Sequence, residues 1–234
     1  MTLAARFDEN LRDSGACVSC GATNRQRQVA WALLKLLSNG PGGSLSKLST
    51  LKIRIFHAEA AGPIHQGLVG NPGYCCSEFI GYDRLPGEAV EGTKHEDVQD
   101  LSFGDNFFDL VITTDILEHV PDPYRAHREI FRVLRVGGSH LFTVPFLHGG
   151  VLDQERCRVG ADGEITHLLE PQYHHDPLRD GGALVYRLFA MEMLVRLAQI
   201  GFTTTMYDAR SPRHGIYGNN AFVFIAQKHH YQPD

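Results

Sequence analysis

Apolar residues recur along this chain with two different periods. Over QRQVAWALLKLLSNG, Val29, Leu33, Leu36 and Leu37 fall on one stripe of an α-helix that ends at Asn39-Gly40. The turn-rich GPGGSLSKLS that follows predicts a linker, and residues 51–57 read as a short buried strand. Further strands are expected near 74–80, near 93–96, at FDLVITT (108–114), at SHLFTVP (139–145), over TTTMYD and over AFVFIAQK. Helical patterns alternate with these strands, as in a mostly parallel sheet covered on both faces, a doubly wound α/β fold.

Two helices have clear boundary signals. Asp122 is an N-cap with Pro123 at the first helical position, and Gly137-Gly138 lies past the end, with Arg132 and Arg135 near the negative pole. Ala126, Ile130, Val133 and Leu134 form the face that this helix lays on the sheet. A later helix around Phe189–Ile200 is stopped by Gly201, with Phe202 making the cap's hydrophobic contact, and its Met191 and Met193 read as core or lid residues. Between the two, a polar stretch rich in His, Asp, Gly and Pro interrupts the alternation. Residues 146–188 are read as an insertion that caps a substrate, within a main domain at 46–234 that an N-terminal arm and helix (1–45) precedes.

Composition narrows the class of protein. Hydrophobic residues at 43% and charged residues at 21% exclude disorder, and 22 Lys and Arg against 27 Asp and Glu leave a net charge of −5, with no general attraction for nucleic acid. No apolar run is long enough to span a bilayer, and the first twenty residues lack a signal-like apolar core, so a cytoplasmic location without membrane association is expected. Five cysteines are an odd number, and Cys75 and Cys76 point to opposite faces of a strand. Cys17, Cys20 and Gly21 form half of a zinc knuckle with no matching second pair, so reduced thiols and no metal are the expectation there. The N-terminal helix and this knuckle could supply a homodimer contact.

Ligands of such sheets bind at the carboxyl ends of the strands. Each of the first four strand ends carries an acid: Glu59, Glu78, Asp97 and Asp115. The G-x-G-x-x-G fingerprint of dinucleotide binding is absent, and carboxylates there repel a diphosphate. They attract a ligand with an ammonium, a sulfonium and a ribose diol, which describes S-adenosylmethionine. Glu78 is placed for the ribose hydroxyls and Asp97 for the adenine amino group.

The segment EDVQDLSFGDNFFDLVITTDILEHVPDPYRAHREIFRVLRVGGSHLFTVPF resembles the middle of class I S-adenosylmethionine-dependent methyltransferases of the type 11 group. The resemblance implies a seven-stranded, Rossmann-like sheet whose last strand is antiparallel, with Glu78, Phe79, Asp97, Val98, Thr114 and Asp115 around the cofactor. Where the family has Gly-x-Gly-x-Gly, this chain has Ala58-Glu59-Ala60-Ala61-Gly62, an atypical first motif resembling a subgroup with a His-Ala-Pro-Glu-like loop. His57, Ala58 and Glu59 are therefore counted with the cofactor site, Glu59 reaching for the ligand's ammonium.

Glu118 and His119 follow the fourth strand, either facing the methyl donor or serving as a helix-entry polar pair, and His119 is counted with the site. His148, His167, His174 and His175, joined by Asp176, cluster in the insertion. His148, His174 and His175 are candidates for the base that removes an acceptor's proton; a hydrated substrate-shaping loop and a divalent metal site are the competing readings. Arg25 and Arg27 either close over an anionic substrate or are surface charges. The expected activity is transfer of a methyl group to the O or N of a small polar acceptor; the alternative is a non-catalytic nucleoside-binding module.

Overall fold

The computed structural model describes residue 11 and residues 15–38, 43–160, 162–174 and 181–229. Its centre is one sheet of six strands: β1 (Ile55–His57), β2 (Tyr74–Cys76), β3 (Phe108–Thr114), β4 (Leu134–Thr143), β5 (Phe202–Asp208) and β6 (Phe222–Lys228). In space the order is β5-β6-β4-β3-β1-β2. The β1–β2, β1–β3 and β3–β4 pairs are parallel, whereas β6 runs antiparallel to both β4 and β5.

The expected seventh strand is not formed. Residues 93–96 sit in a polar stretch, and Thr93–Lys94 instead folds back on Ala89–Val90 as a two-stranded ribbon. One parallel bridge, Glu78↔His95, is what remains beside β2. Without an apolar run to bury, this edge position gains more from a local hairpin than from extending the sheet. β2 correspondingly ends at Cys76, short of the expected residue 80.

Alternating side chains of the strands build a core on each face. On one face, Phe56, Val111, Phe142 and Phe224 pack against α3 (Pro123–Val133) and α4 (Met191–Ile200), with Met193 fully buried. On the other, Ile55, Leu110, Ile112 and Leu141 meet α1 (Asn24–Leu37) and α2 (Gly62–Leu68) through Val29, Leu33, Ile64 and Leu68. α1 thus spends its apolar stripe on the sheet of its own chain. Its start is set by Thr23 and Gln26, whose side chains and backbone N–H groups exchange capping hydrogen bonds.

Asp122 caps α3 as expected, accepting from the N–H groups of Tyr124 (3.1 Å) and Arg125 (2.9 Å). The far end differs from expectation: α3 stops at Val133 and β4 begins at once, ahead of Gly137-Gly138. The buried Lys228 Nζ donates to the carbonyls of Phe131 (2.8 Å) and Leu134 (2.7 Å), satisfying acceptors that a longer helix would have used. Gly138 instead serves the sheet, since a Cβ there would lie 3.1 Å from the carbonyl oxygens of Phe108 and Asp109. Gly201 ends α4 at φ 114°, a conformation that favours glycine.

The insertion is made of two-stranded ribbons, Cys157–Val159 with Ile165–His167, Tyr173–His174 with Ala183–Leu184, and Gln154–Glu155 with Arg187–Leu188. Asp153 ties it to the helices: its carboxylate accepts from the N–H of Ala190 (2.8 Å) and from the Tyr124 hydroxyl. Among the described residues, no helix is long and apolar enough to cross a membrane.

Candidate functional site

The carboxyl ends of β1, β2 and β3 open into a cavity of about 1040 Å³, roofed by the insertion. Ligand pockets typically enclose roughly 300–1,000 Å³, so this one has room for more than one small molecule. Among the described residues, Glu59, Glu78, Glu96, Asp97 and Asp115 line it, against the single arginine Arg25. The cavity reaches Ala58 and Glu59, so the methyl groups standing where the family has glycine leave the first loop open to it.

Each acid is held in its own way. Glu78 Oε1 accepts the Ala60 N–H at 2.8 Å, tying the end of β2 to the loop after β1. Asp97 closes an Asx turn by accepting the Gln99 N–H at 2.8 Å. Glu96 is spent structurally: it is buried, 2.7 Å from Lys94 Nζ, and it accepts the Ser102 N–H at 2.9 Å. Asp115 turns the chain out of β3 at φ 49°, an uncommon conformation for a side-chain-bearing residue. It is pinned there by the Thr143 hydroxyl (3.0 Å) and by Arg25 Nη1 (2.5 Å).

Arg25 reaches Asp115 because α1 is clamped to the far end of the chain. Asn24 exchanges two hydrogen bonds with the backbone of Tyr217, at 2.8 and 3.0 Å. Arg27 plays a different part from its neighbour, donating to the carbonyls of Gly215 (2.8 Å) and Ala22 (2.5 Å). The knuckle beside them is accessible, with Cys20 exposed and the Cys17 thiol held below its usual range by hydrogen bonds from the Ser19 and Cys20 backbone. Among the described residues, no further His, Cys, Asp or Glu joins these two thiols around one point.

Of the other residues expected at the cofactor site, Phe79, Val98, Thr114 and His119 line the cavity. Phe79 is set edge-on to Tyr82, with ring centroids 4.8 Å apart. His57 is fully buried and does not line the cavity; its Nε2 lies 3.2 Å from Glu59 Oε2 and its Nδ1 3.0 Å from the Tyr74 hydroxyl, which also meets His65 at 3.0 Å. It stands behind Glu59 as a support. Burial raises the Tyr74 hydroxyl's pKa and lowers that of His65, so both favour their neutral forms.

The three candidate bases separate. His148 is exposed and stacks on Phe222, 5.7 Å between centroids, and is not among the lining residues. His175 lies outside the described residues. His174 lines the cavity, its ring set edge-on to that of His119 with centroids 5.0 Å apart. Behind both stands the fully buried Glu118, whose Oε1 is 3.8 Å from His119 Nε2 and 3.7 Å from His174 Nδ1. The expectation counted His119 and His174, but not Glu118. The adjacent Glu and His on the Leu117–His119 turn were readable, but their convergence with His174 depends on how the insertion folds.

Residues 80–142 match the sequence family described as Methyltransferase domain. Curated relatives match over limited segments. The sarcosine/dimethylglycine N-methyltransferase of Halorhodospira halochloris is 33% identical over 90 residues, which is 36% of this chain and 30% of that protein. The ubiquinone/menaquinone biosynthesis C-methyltransferase UbiE of Vibrio cholerae is 36% identical over 74 residues, 29% of this chain and 28% of that protein. Each match thus spans less than a third of the relative's length. Two solved structures share the fold over most of their length. The methyltransferase in complex with the Trm112 activator of Haloferax volcanii has a TM-score of 0.51 at 13% identity, covering 90% of this chain and 93% of that one. The [4+2]-cyclase SpnF has 0.52 at 15%, covering 96% and 87%. The matched segment begins just after β2 and runs into the last residues of β4, and the two solved structures share the fold around it.

Proposed function

We propose that the chain binds S-adenosylmethionine across the ends of β1, β2 and β3 and passes its methyl group to a small polar acceptor held beneath the insertion. The observation that carries this reading is the cavity's charge: among the described residues Glu59, Glu78, Asp97 and Asp115 line it with one arginine, and Glu96, neutralised by Lys94, adds no net charge, in a space that extends from the strand ends to the insertion. A cationic nucleoside is favoured there and a diphosphate is not.

In this reading Glu78 receives the ribose hydroxyls, Asp97 the adenine amino group, and Phe79 and Val98 flank the base. Glu59, steadied by His57, meets the ammonium, while Thr114 and Asp115 frame the methionine portion and Arg25 covers it. The cofactor supplies a methyl group on a sulfonium, whose leaving group is a neutral thioether. The chain's own contribution is to hold donor carbon and acceptor atom in line, to exclude water, and to let an acceptor hydroxyl lose its proton at the His119–His174 end. An amine acceptor that is already neutral needs only the positioning.

Calorimetric titration with S-adenosylhomocysteine tests the binding half. Micromolar affinity is expected, with no heat from NAD, and Glu78→Ala should weaken the binding roughly 10- to 100-fold by removing charge-assisted hydrogen bonds. Tight NAD binding without S-adenosylhomocysteine binding overturns the reading. Incubation with labelled methyl donor and a panel of hydroxyl and amine acceptors tests the transfer half; binding without transfer to any acceptor would leave a nucleoside-binding module.

A further inference from the structure

We propose that Glu118, His119 and His174 form a binding site for one divalent cation of the zinc–manganese range, at the acceptor end of the cavity. One ligand atom from each residue lies within 4.8 Å of the other two. The carboxylate oxygen is 3.8 Å from His119 Nε2 and 3.7 Å from His174 Nδ1. These separations exceed hydrogen-bonding distance. They are close to the spacing of ligands around a metal: bonds of about 2.0–2.2 Å arranged tetrahedrally put neighbouring ligand atoms roughly 3.3–3.6 Å apart. The two carboxylate–imidazole separations would shorten by a few tenths of an ångström around an ion, and the two imidazoles, whose ligand atoms lie within 4.8 Å of each other, would close on it together.

The surroundings have the features of a built site. His119 Nδ1 lies 2.8 Å from the Leu184 carbonyl oxygen, which can only accept, so Nδ1 carries the proton and Nε2 presents its lone pair toward the cluster. Orientation of an imidazole through its second nitrogen is the usual support of a metal-bound histidine. The Glu118 side chain is fully buried, and a buried carboxylate is stabilised by a cation held against it. His119 and His174 line the cavity, so the cluster borders the ligand space. Two imidazoles and one carboxylate are the donor types of a catalytic metal site.

The site joins two parts of the molecule. Glu118 and His119 stand on the turn after β3, whereas His174 belongs to the Tyr173–His174 ribbon of the insertion. A bound cation latches the insertion onto the sheet, and its open position takes an oxygen of the acceptor. This deepens the methyl-transfer reading and rests on it for the acceptor's role. The preferred substrates are then hydroxyl-bearing molecules.

The test uses the full chain stripped by chelator and titrated calorimetrically with MnCl2 and with ZnCl2 in the absence of any methyl donor. One saturable site is expected. His174→Ala, a change at a partly exposed residue of the insertion, and Glu118→Gln should each weaken it beyond the roughly 10- to 100-fold cost of outer-shell changes. Thermal melts check that both variants are folded, and the Co2+ visible spectrum of the wild type should change when His174 is removed. A Cys17→Ser, Cys20→Ser double variant should keep the site. No saturable binding by the wild type, or wild-type affinity in His174→Ala, overturns the assignment and leaves His174 as a metal-free base. Because S-adenosylhomocysteine is titrated separately, loss of metal binding and loss of cofactor binding are distinguishable results.

Discussion

On the sheet side of the cavity, Thr114 and Asp115 end a strand hydrogen-bonded on both edges, whereas on the insertion side His174 stands on a ribbon only two residues long. Behind the first lie fully buried rings, among them Phe142 and Phe224, stacked with centroids 5.1 Å apart. Around the second, Val151, Leu152, Leu168 and Leu169 are exposed. Two layers of core back the sheet wall; the insertion wall reaches that core through Phe146, buries Val185 and Tyr186, and is tied further by Asp153, while much of its apolar surface stays exposed. In the proposed reading the firmer wall holds the cofactor and the more adaptable one the acceptor.

The sharpest way to break the contrast is to remove packing from each wall. Phe224→Ala should cost about 3–5 kcal/mol in denaturant-induced unfolding, because the cavity it leaves lies between α3, β4 and β6. Leu169→Ala, at an exposed position of the insertion, should fall within about 0.5 kcal/mol of the parent in the same measurement. A large loss in both would show that Leu169 is packed into the main core despite its exposure.

Acid should act on the sheet wall through two buried histidines. His127 and His140 are fully buried with centroids 5.4 Å apart, and His140 Nε2 meets the Thr113 hydroxyl at 2.9 Å. Burial lowers the His127 pKa to about 3, and burial together with the neighbouring His127 lowers that of His140 well below its ordinary value. Both stay neutral in the folded chain while the unfolded chain takes up protons below about pH 6.5. Stability is therefore complete above pH 6.5 and falls as pH drops from there toward 3, by up to about 1.4 kcal/mol per pH unit for each histidine. Urea melts from pH 7.5 to 5 should show this slope, and His127→Leu should roughly halve it.

An effect smaller than that of Phe224→Ala is expected at the tie between the walls. Asp153→Ala removes the acceptor of the Ala190 N–H and of the Tyr124 hydroxyl and should cost about 1–2 kcal/mol. Limited proteolysis should then cut the insertion before the sheet, and S-adenosylhomocysteine affinity should stay within a few-fold while acceptor KM rises. An equal loss of cofactor affinity would show that the two walls are one unit.

Most of this architecture was readable from local pattern. The Asp122-Pro123 start of α3, the Gly201 stop of α4 and the limits of β3 follow from side-chain chemistry within a few residues. The errors arose where neighbours compete: residues 93–96 close a hairpin, and Leu134 joins a strand although its spacing continues a helix. At the site, carboxylates at strand ends were legible because topology sends every parallel strand's carboxyl end to one side of the sheet.

What the linear chain determined by itself is the order of strands and helices, the acidic character of the strand ends and the segment shared with methyltransferases, since each depends on periodicity, capping or short motifs. Tertiary structure alone decided that Arg25 covers Asp115 across 90 residues of sequence, that His57 supports Glu59 from behind, and that His174 rather than His148 meets Glu118. These contacts join side chains whose separation is set by how helices and the insertion pack on the sheet. Packing depends on the summed burial of many residues, a quantity that no local pattern encodes.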